Sequence, residues 1–348
     1  MFYHTYRPKT ISELDNGQVK ERVTAILENK TLPHAFLFTG QKGTGKTSTA
    51  RIFAKAVNCL KNTFASHGSS VEPCNKCTNC LSIDSSSSPD VVELDAASNR
   101  GIDEIRSLIR NSIFSPMNNR YRIFIIDEAH MITHDAFNAL LKTLEEPPSS
   151  VIFILATTNE EKVPKTISSR CIIIPFGKAR KDEIKSMLKR IAVNEKITVD
   201  NDFFDIIAAH SEKSFRDATK LFQELIIQNR LTSDKAKEYL GIQSKQDLIQ
   251  IIQAKPLKET LIWINEYSDT GGNVKILIEN LLNDLRMALL IKSGAVNNSS
   301  QKNLLSINDI TLLMKLLNEA YQNLRFSPID SIPLEIAVVE FYNKRKDS

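Results

Sequence analysis

Residues 40–47 match the phosphate-binding loop pattern GxxxxGK[ST]. In such a loop the glycines let backbone N–H groups turn toward phosphate oxygens, and the helix that follows adds partial positive charge. Lys46 can then reach the β- and γ-phosphates, while the Thr47 hydroxyl can ligate Mg²⁺. A chance glycine-rich turn is the alternative. The pattern predicts that ATP and Mg²⁺ bind at the loop and the residue after it, through Gly40, Gly43, Thr44, Gly45, Lys46, Thr47 and Ser48.

Two carboxylates, Asp127 and Glu128, follow the apolar run 123–126. Ligands of open α/β sheets bind at the edge where the strands end, so both side chains are expected beside the loop. Asp127 is predicted to hold Mg²⁺, and Glu128 to orient and activate an attacking water molecule. An ordinary acidic turn is the alternative, and the loop upstream makes it the weaker interpretation. Glu128 indicates hydrolysis, because nucleotide binding alone does not need this base.

Four of the five cysteines are clustered with the spacing C-x14-C-x2-C-x2-C. Disulfides are rare in a reducing compartment, and the two x2 spacings can bring thiolates to one ion. The alternative, four unrelated buried thiols, conflicts with the polar residues between them. His67 is a weaker rival ligand, and Cys171 is interpreted as a small core residue. The spacing predicts a closed structural Zn²⁺ site formed by Cys59, Cys74, Cys77 and Cys80.

The elements that must position these residues are indicated by apolar runs in the first half of the chain. Short β-type runs alternate with segments of helical spacing at 48–57, 102–113 and 135–144, the last stopped by two prolines. Such alternation predicts an α/β fold with a parallel sheet and helices on both faces. The predicted strands are 35–39, 91–94, 122–126, 151–156 and 172–174.

Beyond Gly177 the β-type runs stop and amphipathic helices follow. The sequence therefore predicts three domains: an α/β core at 1–178 with a zinc-binding insertion at 59–80, a small helical domain at 179–242, and an all-α domain at 243–348. The predicted helices of the last two domains are 181–193, 201–210, 215–229, 233–240, 257–267, 274–291, 307–324 and 332–342, with a polar loop at 295–303.

The composition is that of an ordinary globular protein, with 348 residues, 42% hydrophobic and 25% charged. No apolar run is long enough for a membrane span, and the N-terminus lacks the pattern of a signal peptide. We therefore expect a cytoplasmic protein with no membrane partner. A net charge of +4 and a pI near 8.6 fall short of the signature of a dedicated nucleic-acid-binding domain.

Further motifs occur together in one family. They are Tyr6-Arg7-Pro8 with Gly17-Gln18, the stretch DAASNRG at 95–101, FNALLKTLEEPP at 137–148 and Ser169-Arg170-Cys171. With the phosphate-binding loop and the cysteines, they make the chain resemble the AAA+ clamp-loader ATPases, and among them the bacterial gamma/tau subunits of DNA polymerase III. The resemblance covers nearly the whole chain. It implies an AAA+ P-loop NTPase core, a helical lid domain and an all-α collar domain for oligomerisation.

The resemblance also implies residue roles. Thr158 matches the sensor near the γ-phosphate, Arg216 matches the second sensor in the lid, and Arg7 lies in the segment on the adenine side. Arg170 would complete the site of a neighbouring subunit and stabilise the charge that develops in phosphoryl transfer. Cations would hold DNA through its backbone, with a solvated helix face as the alternative. These DNA-contacting residues would be Arg100, Arg106 and Arg110.

The function implied by this family is an ATP-driven motor that loads a sliding clamp onto primer-template DNA during replication. Its partners would be the delta and delta-prime subunits, other copies of itself, the sliding clamp (beta) and DNA. A non-hydrolysing scaffold is one alternative, which the intact Glu128 and Arg216 disfavour. A AAA+ DNA-remodelling or helicase motor is another, which the cysteines and the Ser-Arg-Cys motif disfavour.

A polymerase site with three carboxylates is not found in the sequence. The terms DNA-directed DNA polymerase, transferase and nucleotidyltransferase would therefore belong to the holoenzyme. The end of the chain at Ser348, soon after the last predicted helix, resembles the short gamma form.

Overall fold

The computed structural model describes residues 1–29, 31–62, 64, 71–98, 101–240, 248–269, 272–295 and 305–346. The chain divides into two compact units, Met1–Leu231 and Thr232–Ser348. Each unit has a hydrophobic core of its own.

A parallel sheet forms the centre of the first unit. Its strands are β1 (Ala35–Gly40), β2 (Val91–Asp95), β3 (Arg122–Asp127), β4 (Val151–Thr157) and β5 (Ile172–Gly177). Within the described residues the sheet has five strands in the order β2-β3-β4-β1-β5. The central strands β3, β4 and β1 are buried along nearly their whole length, as expected for parallel strands covered on both faces.

Parallel pairing brings the ends of the central strands to one edge. β1 pairs with β4 so that Thr39 lies opposite Thr157, and β3 pairs with β4 on the other side. The segments that leave β1, β3 and β4 therefore start beside one another. This edge carries the phosphate-binding loop, the acidic pair and Thr158.

Helices cover both faces of the sheet. Phe36 and Phe38 point into the cluster on one face, and Leu37 points into the cluster on the other, which is the period of two expected of a strand. The helices of this unit are α1 (Phe2–Thr5), α2 (Gly17–Glu28), α3 (Lys46–Asn58), α4 (Thr78–Asp84), α5 (Ile102–Ser112), α6 (His134–Glu145), α7 (Lys165–Ser168), α8 (Lys181–Asn194), α9 (Asn201–His210) and α10 (Phe215–Ile227).

The observed sheet and helices confirm the predicted α/β fold class. All five strands begin at the predicted residue and run one to three residues further. Helices α1, α2, α4 and α7 were not predicted, although α2 and α4 each have a capping side chain, Asn16 and Cys77 respectively. The interpretation of Cys171 as a core residue is correct only in part, because it lies just before β5 and is partly buried against a core cluster.

Helices α8, α9 and α10 pack together, and aromatic side chains join α9 to α10. The rings of Phe203 and Phe204 lie 6.2 and 6.1 Å from that of Phe222 on α10. The N-terminal segment also contacts α10, since the backbone N–H of Phe2 donates a hydrogen bond to Gln223 Oε1 at 2.8 Å. The first residues of the chain are thereby placed beside α10.

The second unit is helical in its described residues. Side chains such as Ile264, Leu285, Leu313 and Phe341 are fully buried in its core. Its helices are α11 (Ser233–Tyr239), α12 (Leu248–Ala254), α13 (Leu257–Asp269), α14 (Val274–Lys292), α15 (Ile307–Asn323) and α16 (Ile332–Lys346).

The division into three domains at 178/179 and 242/243 stays a prediction; residues 241–247, around the second boundary, lie outside the described residues. Most of the predicted loop at 295–303 lies outside them as well. None of the helices in the described part of the chain is long and apolar enough to cross a membrane.

Candidate functional site

The phosphate-binding loop joins β1 to α3. Gly43 and Gly45 have φ angles of 78° and 100°, in the left-handed region that glycine tolerates best. A Cβ at Gly43 would also collide with Ser214 Oγ, which caps α10 by accepting a hydrogen bond from the Asp217 N–H. The loop needs glycine at position 43 for two independent reasons, its backbone angle and the close approach of α10.

Lys46 and Thr47 begin α3 and face the strand edge. The Lys46 Nζ donates hydrogen bonds to the carbonyls of Gly40 and Gln41 at 2.8 and 2.9 Å. Burial lowers the pKa of Lys46, while the nearby carboxylates of Glu128 and Asp127 act in the opposite direction. Thr47 Oγ1 donates to Asp127 Oδ2 at 2.6 Å, so the loop and the acidic pair are in direct contact.

Glu128 is held by neighbours at the same edge. Its φ of 48° is in the left-handed region, so the backbone turns sharply as it leaves β3. Its Oε2 accepts a hydrogen bond from Thr158 Oγ1 at 3.0 Å and lies 3.4 Å from His130 Nδ1. The same His130 nitrogen lies 3.2 Å from Thr157 Oγ1. The Glu128 carboxylate is thus tied to the end of β4.

The N-terminal segment and α10 form the opposite wall. Arg7 Nε donates to Ser48 Oγ at 2.7 Å, and burial, followed by the charge of Arg51, lowers the Arg7 pKa. The carbonyl of Gly43 accepts hydrogen bonds from the N–H groups at the start of α10. The guanidinium of Arg216 lies over the ring of Tyr3, 5.2 Å from its centroid.

These walls enclose a cleft of about 300 Å³. The structure brings most of the predicted nucleotide-site residues together in its lining: Arg7, Gly43, Thr44, Gly45, Lys46, Thr47, Ser48, Asp127, Glu128 and Arg216. Gly40, the last residue of β1 and the first of the loop, accepts a hydrogen bond from Lys46 Nζ, and Thr158 reaches the cleft through its hydrogen bond to Glu128. The motifs did not give roles to Tyr3 or His130. Tyr3 lines the cleft and contacts Arg216, and His130 is placed in the site by its contact with Glu128.

Unlike Lys46 and Glu128, the predicted catalytic residue Arg170 does not line the cleft. It forms an ion pair with Glu145 at the end of α6, and its Nη1 donates to the Thr166 carbonyl at 2.7 Å. Its side chain is about one third exposed, 34%. Arg170 is therefore directed toward α6 and the Thr166 carbonyl and not into the cleft of its own chain.

The four clustered cysteines converge at the end of α3. Their sulfur atoms all lie within 4.8 Å of one another. Four thiolates bound tetrahedrally to Zn²⁺ would be about 3.8 Å apart, so the set fits a closed zinc site without large movement. Backbone N–H groups point at the sulfurs, including those of Cys74 and Lys61 at Cys59 Sγ, each 3.4 Å away.

The electrostatic surroundings differ among the thiols. Burial opposes ionisation of Cys74, but the N–H groups of Lys76 and Cys77 outweigh it and lower its pKa to about 6. Burial raises the pKa of Cys80, which the backbone N–H of Asn75 partly counteracts. His67, the rival ligand, lies outside the described residues.

Two of the three arginines predicted to contact DNA lie in the described part of the chain. Arg106 and Arg110 are exposed on α5, four residues apart and therefore on one side of the helix. Arg106 Nη1 lies 3.8 Å from Asp103 Oδ1, in the acidic first turn. Arg100 lies outside the described residues.

The sheet order, the loop, the edge carboxylates and the helical segment over the cleft define the class: an AAA+ P-loop NTPase fold. The family model described as DNA polymerase III, delta subunit, matches residues 15–180. The DNA polymerase III subunit gamma of Buchnera aphidicola subsp. Baizongia pistaciae is 32% identical over 99% of this chain and 98% of its own length. The chain belongs to the DNA polymerase III gamma subunit family.

Longer relatives match as well. The DNA polymerase III subunit tau of Bacillus subtilis is 35% identical over 97% of this chain, which spans 62% of the length of that protein. Among solved structures, the Thermotoga maritima RuvB Holliday junction branch migration motor is similar with a TM-score of 0.49 and 19% identity, over 77% of this chain and 86% of that chain.

Proposed function

We propose that this chain is the ATP-hydrolysing motor subunit of a bacterial clamp loader, which uses ATP to load a sliding clamp onto primer-template DNA. The observation that carries the proposal is the 2.6 Å hydrogen bond from Thr47 to Asp127, because it joins the phosphate-binding loop to the acidic strand end. Membership of a family of DNA polymerase III subunits supports the role in replication.

ATP would bind with its phosphates at the N-terminal end of α3, where backbone N–H groups and the helix dipole favour anions. Lys46 would exchange the carbonyls of Gly40 and Gln41 for the β- and γ-phosphates. Thr47 and Asp127 would hold Mg²⁺ between them, in place of their direct hydrogen bond. The bound ion would neutralise charge on the phosphates.

Hydrolysis would require Glu128 to leave its present partners. In the ATP state Thr158 would turn to the γ-phosphate, and the freed carboxylate would accept the proton of the attacking water. Arg170 would supply positive charge to the site of a neighbouring subunit, since it lies outside the cleft of its own chain. A single chain would therefore hydrolyse ATP poorly.

Helix α10, which carries Arg216, would report the nucleotide state. Arg216 would move from the ring of Tyr3 toward the γ-phosphate, and α10 follows Arg216 because it begins at the preceding residue. The hydrogen bonds from the start of α10 to the Gly43 carbonyl tie the same helix to the phosphate-binding loop. ATP binding would thus rearrange α10 relative to the sheet.

The four cysteines would bind one Zn²⁺ in a site without an open position. This metal would be structural, because all four coordination positions are filled by protein. Metal analysis of protein purified without chelator should give about one zinc per chain. A content near zero would remove the zinc assignment and leave the ATPase proposal standing.

The partners are also proposals. They are the delta and delta-prime subunits, other copies of this chain, the sliding clamp and primer-template DNA, in the cytoplasm. The exposed Arg106 and Arg110, with Arg100, would hold the DNA backbone. If alanine at all three positions left DNA-stimulated hydrolysis unchanged, α5 would be an ordinary solvated helix face.

The catalytic part of the proposal is tested by Glu128→Gln in the assembled complex. Losing the general base should lower ATP turnover by about 10² to 10⁴-fold while nucleotide binding persists. Glu161→Gln is the matched control, since Glu161 is an exposed carboxylate near the end of β4. Equal turnover in both variants would show that Glu128 is not the base.

A further inference from the structure

The thiolate centre, formed by Cys59, Cys74, Cys77 and Cys80, has a buried charged group beside it. This group is neither a predicted metal ligand nor a predicted contact of the nucleotide. Lys55, on α3, is 1% exposed and forms an ion pair with Asp84 Oδ1 at 2.8 Å. Its Nζ also donates a hydrogen bond to Asn75 Oδ1 at 2.7 Å. A buried ammonium is costly unless it is paired, so this arrangement indicates a specific role.

The two partners of Lys55 lie in the segments that carry the metal ligands. Lys55 precedes Cys59 by four residues and Asp84 follows Cys80 by four, so each pair spans about one helical turn. Helices α3 and α4 are therefore joined twice, once through their cysteines and once through the Lys55–Asp84 ion pair.

Asn75 connects Lys55 to the remaining ligands. It follows Cys74 directly and has a φ of 52°, a left-handed conformation that its side chain must help to hold. Its backbone N–H lies close to the sulfur of Cys80. The Lys55 contact to the Asn75 side chain thus fixes the turn that orients this N–H and leads to Cys77.

We propose that Lys55 is a positioning residue of the thiolate centre, which pre-orients the ligands from Cys74 to Cys80 through Asn75 and Asp84. The inference rests on the proposed zinc site and is independent of the ATPase proposal. Helix α3 begins at the phosphate-binding loop and ends next to Cys59. The contacts of Lys55 therefore also connect the far end of that helix to the metal centre.

The test uses zinc and cobalt titrations of the full chain, with metal affinity measured by competition against a chelator. Lys55→Met should raise the metal dissociation constant by about 10- to 100-fold, the usual effect of losing an outer-shell partner. Lys76→Met is the control, since it removes an equal charge from an exposed side chain that lies between Cys74 and Cys77. It should change the dissociation constant less than about twofold.

A second variant separates positioning from general stability. Asn75→Gly tolerates the left-handed backbone and removes one acceptor of Lys55, which stays paired with Asp84, so the metal-free protein should lose only a few degrees of melting temperature. Its metal affinity should fall in the same direction as that of Lys55→Met. The cobalt spectrum should stay that of a tetrahedral tetrathiolate site, because the four ligands remain.

Unchanged affinity in both Lys55→Met and Asn75→Gly would overturn the positioning role while leaving the zinc site intact. If the parent chain bound neither metal, the zinc site and this inference would both be wrong. ATP turnover of the assembled complex is measured separately. Neither outcome of the metal titrations bears on the proposed ATPase activity.

Discussion

The two ends of α3 are built in different ways. At its N-terminal end, the cleft collects side chains from the N-terminal segment, the phosphate-binding loop, β3 and α10, which are far apart in the sequence. At its C-terminal end, the thiolate centre is assembled within one stretch between Lys55 and Asp84. One end is open and made of distant parts, and the other is closed and local.

The contacts at these ends also differ in what a ligand would do to them. Lys46, Glu128 and Arg216 are each occupied by another protein group, which ATP would have to replace. The thiols already lie close enough to receive one ion. We therefore expect the contacts at the N-terminal end of α3 to change when nucleotide binds, and those at its C-terminal end to stay fixed.

Arg170→Ala is expected to have the largest effect on ATP turnover. An arginine that acts on a neighbouring site is worth about 10³-fold or more in turnover, so phosphate release by the assembled complex should fall by that order. ATP affinity should stay near that of the parent, because Arg170 is outside its own cleft. Arg180→Ala, which removes an exposed arginine paired with Glu183, is the control. Loss of turnover in both would contradict a specific role.

Gly43→Ala should weaken ATP binding by at least about tenfold. A left-handed alanine costs about 1–2 kcal/mol, and its Cβ would displace Ser214 from the cap of α10. Gly294→Ala has a similar φ, 73°, but open space around the new Cβ. Nucleotide titration should therefore separate the two variants, and an equal affinity would mean that the contact with α10 is unimportant.

Cys80→Ser should mainly affect stability. Losing one of four ligands should release the zinc and lower the melting temperature of the first unit by about 5 °C or more, since 1 kcal/mol corresponds to about 2–4 °C in a unit of this size. Cys171→Ser should keep the metal. A larger loss of ATP turnover in Cys80→Ser than in Arg170→Ala would break the distinction between the two ends.

Tyr3→Leu should have the smallest effect. Arg216 would no longer have to leave an aromatic ring when ATP binds, and such a contact is worth about 0.5–1 kcal/mol. ATP affinity should therefore rise about two- to fivefold, while Tyr3→Phe leaves it unchanged. Weaker binding in Tyr3→Leu would instead make Tyr3 a direct contact for the nucleotide.

The same comparison explains what the sequence could predict. The loop, the acidic pair and the cysteines are local patterns whose chemistry depends on spacing, and the sheet follows from apolar runs such as 151–156. The contacts of His130 and Tyr3 depend on how β4 and α10 are placed in space, so no local sequence pattern predicts them. Lys55 lies in an ordinary helical segment, and only its burial and contacts in the fold point to the role proposed for it.

The central claim is that this chain is a motor whose ATP turnover serves clamp loading. The most direct test is steady-state ATP hydrolysis by the chain assembled with delta and delta-prime subunits, with and without sliding clamp and primed DNA. We predict strong stimulation that requires both clamp and DNA. A rate indifferent to them would contradict the clamp-loading function and leave an AAA+ ATPase with a different client.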